Sequence, residues 1–135
     1  MRPINTDVLA STTPSPQMRT QIHLTGKGRG IEIQSDAVLL HTPADALGLI
    51  YEHSADLLIV QKKNVHPDFF DLATGVAGEI CQKFVNYQCQ LAIVGDYSEI
   101  TSKSLRDFIF ESNRRANVFF PESIETALNE SARRA

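Results

Sequence analysis

The sequence predicts a single α/β domain built on a mainly parallel sheet, and three observations carry that expectation. Two short apolar runs, DLLIVQ at 56–61 and CQLAIVG at 89–95, are bounded by polar residues and separated by a stretch with helical periodicity, the pattern of two parallel strands joined by a crossover helix. Ahead of them, apolar and polar residues alternate on either side of a glycine-rich loop, which reads as a hairpin. The chain has 135 residues, 42% hydrophobic and 21% charged, enough to bury one core without disulfide or metal staples.

Residues 1–19 hold Asn, Ser, Thr and half of the six prolines without any period, so they are expected to be a disordered tail, with the domain spanning 20–135. From Thr20, Ile22 and Leu24 alternate with His23 and Thr25, and Ile31 and Ile33 continue in phase beyond Gly26, Gly28 and Gly30. Such a glycine loop cradles phosphate only when a helix N-terminus follows it directly. A strand pattern follows here, so the loop is a hairpin turn.

After the extended segment 38–40, a helix is signalled by Thr42 as cap, Pro43 at the first position and Asp45 to close a capping box, with Leu47, Ile50 and Tyr51 as its inner stripe. The strand Leu57–Gln61 is apolar without alternation, as expected of a strand covered on both faces. A second helix is expected just after Asp71, with Leu72, Ala73, Val76, Ala77, Ile80, Cys81, Phe84 and Val85 in a broad apolar stripe and Gly75 and Gly78 near it. The strand 91–94 follows. A third helix opens at Thr101 or Ser102 and ends near Arg114 and Arg115, whose charges suit a helix C-terminus. A short strand at 117–120 and a last helix from about Glu122, ending in a frayed SARRA, complete the order ββαβαβαβα. This order implies a sheet of about five strands with right-handed crossovers and an antiparallel hairpin strand at one edge.

Composition excludes several classes. The net charge of −3 offers no electrostatic footprint for nucleic acid. No apolar run approaches the roughly 20 residues of a membrane span, and the N-terminus lacks an apolar signal-peptide core, so a cytoplasmic protein is expected. Cys81 and Cys89 form no metal-ligand spacing and read as small buried hydrophobes.

The segment HPDFFDLATGVAGEICQKFVNY, continuing through LAIVGD, TSKSLRDFIFESNR and VFF, resembles a small bacterial family known only as a domain of unknown function, DUF4180. The resemblance runs from the hairpin to the last helix and implies no activity. The element order, and the step from an apolar strand into a helix-opening turn with Asp and Gly, are also similar to the STAS domain of anti-sigma factor antagonists. There a D-S-S-G turn presents a serine whose phosphorylation switches partner binding. Here the turn is Asp71-Leu72-Ala73-Thr74-Gly75, one residue longer, with leucine and alanine where the serines belong. Only Thr74 can stand in, and a threonine in a first helical turn is commonly a local cap.

Polar residues that can carry chemistry follow the C-terminal ends of the parallel strands, where open α/β sheets bind ligands. Lys62, Lys63, Asn64, His66, Asp68 and Asp71 follow one strand, and Asp96, Tyr97 and Ser98 its neighbour. Of these His66, Asp68, Asp71, Asp96 and Ser98, together with Thr74, are the ligand-binding candidates. His66 with Asp68, Asp71 and Asp96 can form a metal site or an acid–base pair; the plainer reading gives Asp71 and Asp96 to caps and turns. Ser102, Lys103 and Ser104 at the start of the third helix are an anion candidate, set against simple capping. Phe69, Phe70 and Val76 are the interface candidate, set against the core. No catalytic constellation, resident metal or cofactor is indicated. The expectation is a non-catalytic STAS-like interaction module with a protein partner or a second copy of itself; the alternative is a small-ligand or metal-dependent enzyme using the strand-end rim.

Overall fold

A computed structural model describes residues 18–25 and 28–134. The expected tail falls mainly outside them, as does Gly26 of the hairpin loop. Five strands form one sheet in sequence order: β1 (Arg19–Thr25), β2 (Gly28–Gln34), β3 (Leu57–Gln61), β4 (Gln90–Val94) and β5 (Val118–Phe119). β1 runs antiparallel to β2 at one edge, and β2 to β5 are parallel. The helices are α1 (Pro43–His53), α2 (Val76–Asn86), α3 (Lys103–Arg115) and α4 (Ile124–Arg133).

The two apolar faces of β3 and β4 have different partners. Leu58, Val60, Leu91 and Ile93 pack with Leu49 of α1, Ile80 and Phe84 of α2, and Leu105 and Ile109 of α3. Leu57, Ile59, Ala92 and Val94 face the other way and pack with Ile124, Ala127 and Leu128 of α4. Burial from both sides explains why these strands read as unbroken apolar runs.

α1 begins as its signals require. Thr42 Oγ1 accepts from the Asp45 N–H at 3.1 Å, and the Asp45 carboxylate accepts from the Thr42 N–H at 3.0 Å. The second crossover is less regular than expected. Instead of a helix starting just after Asp71, 3-10 turns at Pro67–Phe70 and Leu72–Thr74 precede α2. The break falls at Gly75, whose φ of 80° places it in the left-handed region that glycine enters without a Cβ penalty.

The C-terminal segment expected to fray is held in place as far as Arg134. Arg134 is only 8% exposed and donates to the carbonyls of Ser112 (2.9 Å), Asn113 (2.7 Å) and Ala116 (2.9 Å) at the end of α3. Its guanidinium also lies over the Phe119 ring, 4.1 Å from the centroid. One side chain thus supplies donors at a helix end, where intrahelical N–H partners run out, and ties α4 to α3.

Candidate functional site

Because β2, β3 and β4 are parallel, the segments that leave them all emerge at one end of the sheet. Strand order never reverses, so no topological switch point opens a crevice there; the crevice comes from how the exit segments pack. The key to that packing is Asn64, which is fully buried. Its side-chain amide donates to the carbonyls of Ser35 and Ala37, both at 2.8 Å, and its Oδ1 accepts from the Gln61 N–H at 2.8 Å. Its backbone carbonyl accepts from the Leu39 and Leu40 N–H groups. The side-chain NH₂ and the backbone carbonyl clip the segment after β2 to the segment after β3, where Leu40 and Val65 form an isolated parallel bridge, while Oδ1 fixes the turn that leaves β3.

The clipped segments leave an open, largely apolar groove of about 700 Å³, lined by Val38, Lys62, Lys63, Val65, Pro67, Phe70, Ile100 and Leu105. Lys62 is held across it. Its Nζ lies 5.1 Å from the Tyr97 ring centroid and 5.8 Å from that of Phe70, and donates to the Asp96 carbonyl at 3.2 Å. A Cβ at Gly95 would sit 2.8 Å from Lys62 Cβ, so the lysine crosses where only glycine leaves room. Behind it, Phe70, Tyr97, Phe108 and Phe120 make edge and tilted ring contacts at 5.4–6.4 Å. Tyr97 donates its hydroxyl to the Ile93 carbonyl at 2.7 Å, and burial pushes its ionisation up. A smaller recess of about 330 Å³, lined by Gln34, Ser35, Asp36, Gln61 and Lys63, has Lys63 in common with the groove. There the Lys63 ammonium lies 2.6 Å from the Asp36 carboxylate and holds its pKa below the usual value.

The residues singled out in the sequence separate into distinct places. His66 and Asp68 come together, joined by His41, which the sequence reading passed over. Their rings and carboxylate form a half-exposed cluster: His41 Nε2 is 3.1 Å and His66 Nδ1 3.6 Å from Asp68 Oδ2, and the two imidazoles stack with centroids 3.7 Å apart. The only signal for His41 is that both histidines stand just before a proline-led helical turn, as His41-Thr42-Pro43 and His66-Pro67. Asp71 accepts instead from the Ala73 N–H, and Asp96 from the N–H and hydroxyl of Ser98, which lowers its pKa. Thr74 donates its hydroxyl to the Asp68 and Asp71 carbonyls at 2.7 and 2.8 Å.

Two of the three anion candidates have partners within α3. Ser102 Oγ accepts from the Leu105 N–H, and Lys103 pairs with Asp107 at 2.8 Å. Ser104 is an exposed residue in the first turn of α3. Of the interface candidates, Phe69 is fully buried and belongs to the core, whereas Phe70 and Val76 are half-buried against it. Burial pushes both thiols, Cys81 and Cys89, up to about 12. They are expected to react with a disulfide reagent at pH 8 at least tenfold more slowly in the folded protein than in urea, since the thiolate is the nucleophile. Rapid native labelling of either would contradict that burial. Because the folded pKa is raised, these thiols favour folding fully below pH 9 and less as pH rises from 9 towards 12.

These features define a small α/β domain with a mostly parallel five-stranded sheet and a groove at its strand ends. A family model described as a domain of unknown function (DUF4180) matches residues 25–130, and the chain belongs to that family. No curated protein and no solved structure matches it. Among the described residues no helix is long and apolar enough to cross a membrane.

Proposed function

We propose that this protein is a non-catalytic, STAS-like binding module whose recognition site is the groove at the C-terminal ends of β2, β3 and β4. It takes an amphipathic small molecule, with an apolar body in the groove and an anionic end at Lys62 and Lys63. One observation carries the reading: an apolar recess of about 700 Å³ and a smaller one of about 330 Å³, lined by polar residues, have Lys63 in common in their walls. Small-molecule sites have about this size and mix of lining groups. Desolvated apolar walls supply affinity, and the ammoniums orient the charged end.

The element order supports the STAS-like part of the proposal. Leu72 and Ala73 stand where the serines of a phospho-switch belong, so ligand occupancy takes the place of phosphorylation in this reading. A protein partner or second copy would meet the surface from Phe70 to Val76, of which Phe70 also lines the groove.

The test is a thermal-shift and calorimetric panel of decanoate and indole-3-acetate against decanol and indole. Carboxylates are expected to stabilise the native chain, and Lys62→Gln to weaken decanoate by about tenfold while leaving decanol within twofold, as for loss of one charge-assisted hydrogen bond. Leu105→Asp is expected to abolish both. No shift with any member of the panel would sink the proposal.

A further inference from the structure

The cluster of His41, His66 and Asp68 lies outside the lining of the groove and is held by its own devices. The Leu40–Val65 bridge places the two segments side by side, and the His66 N–H donates to the Leu40 carbonyl at 2.8 Å. The residues that follow the bridged pair are the two histidines. Asp68 returns to them after Pro67, within the 3-10 turn Pro67–Phe70. One donor atom from each of the three residues lies within 4.8 Å of the others.

We infer that these three residues bind a divalent first-row transition ion of the zinc type, through His41 Nε2, His66 Nδ1 and Asp68 Oδ2. Two imidazoles and one carboxylate suit Zn²⁺, Ni²⁺ or Co²⁺, not the hard ions Mg²⁺ and Ca²⁺, which require oxygen ligands. With metal–ligand bonds of about 2.1 Å, tetrahedral donors stand about 3.4 Å apart. The His41 Nε2–Asp68 Oδ2 and His66 Nδ1–Asp68 Oδ2 separations are 3.1 and 3.6 Å, so two of the three edges already match.

The third edge closes by a local rearrangement. The rings lie 12° from parallel, and no single ion sits in both ring planes until one ring turns about its Cβ–Cγ bond. Their side chains are 44% and 35% exposed, which leaves space for that turn. Binding exchanges two hydrogen bonds for metal bonds. The Asp68 N–H, which donates to His66 Nδ1 at 3.0 Å, is released to water. The proton that His41 Nε2 directs at the Asp68 carboxylate passes to Nδ1 of the same ring. At least one coordination position stays open to water.

The experiment is titration of the untagged chain with ZnCl₂ and CoCl₂, followed by native mass spectrometry, calorimetry and the visible spectrum of Co²⁺. One ion per chain is expected, with intense Co²⁺ bands between 500 and 700 nm, roughly the range given by low-coordinate nitrogen and oxygen ligation. His41→Ala, His66→Ala and Asp68→Asn should each weaken binding by roughly 100-fold. Because a substitution in this clip can also unsettle the loops, histidine-ring nitrogen NMR is recorded on the unmodified chain. Zn²⁺ should shift His41 and His66 and leave His23 and His53 in place. Absence of a stoichiometric ion, or binding that shifts His23 or His53 instead, overturns the inference. Failure of the carboxylate panel alone leaves it standing, since the groove and the cluster share no residue.

Discussion

Asn64→Asp is expected to destabilise the protein by about 3 kcal/mol or more in urea unfolding at pH 7, although it changes one atom type and almost no volume. In the native side chain, Nδ2 donates to two carbonyls, Ser35 and Ala37, at 2.8 Å each. An aspartate there turns both donors into an acceptor facing two acceptors, and buries a charge with one N–H, that of Gln61, left to satisfy it. The loss carries a pH signature. Burial raises the folded pKa of the new carboxyl above its unfolded value, so the protonated form is favoured in the fold and the deficit grows as pH rises through that window. The variant should therefore lie closer to the native chain at pH 4 than at pH 7. A change below about 0.5 kcal/mol, the range of ordinary surface substitutions, would mean that Asn64 does not hold the rim together.

Phe69→Ala is expected to cost about 3–5 kcal/mol, the usual range for removing a fully buried phenylalanine. Phe69 has no exposed surface, and its ring meets Phe70 at 5.2 Å and Phe120 at 6.2 Å. A void there leaves the wall of the groove without backing, because Phe70 is both its neighbour and a lining residue. Ligand affinity should fall together with stability in this variant, whereas Lys62→Gln should lower affinity with little effect on the unfolding midpoint. If Phe69→Ala unfolds within 1 kcal/mol of the native chain, the residue is not the core element described here.

How far the sequence discloses this molecule depends on the range of the interactions concerned. The Thr42-Pro43-Asp45 start of α1 is written in adjacent residues, and its capping box forms as expected. The parallel strands are legible because burial on both faces leaves no alternation at Leu57–Val60. The start of α2 is misjudged because the conformation of Gly75 depends on how the Pro67–Thr74 turns dock, and local propensity does not report that. Arg134 reads as one more terminal charge, since the α3 carbonyls it meets lie 18–22 residues back in the chain.

The candidate site shows the same division. Parallel strand order alone places His66, Asp68, Asp71 and Asp96 towards one end of the sheet. Which of them meet is decided by side chains at turn scale and by contacts at long range. Asp71 and Asp96 are drawn into bonds with Ala73 and Ser98, two residues onward. His41 is drawn to Asp68 across 27 residues through the Asn64 clip. A pairing fixed by one buried amide leaves no periodic trace in sequence.

Methyl-resolved NMR of the chain titrated with decanoate reads occupancy of the groove residue by residue. Saturable, single-site shifts are expected on the methyl groups of Val38, Val65, Ile100 and Leu105, with Ile124 and Leu128 of α4 on the opposite face unmoved. Shifts absent from those four residues, or centred on α4 instead, would contradict occupancy of the groove.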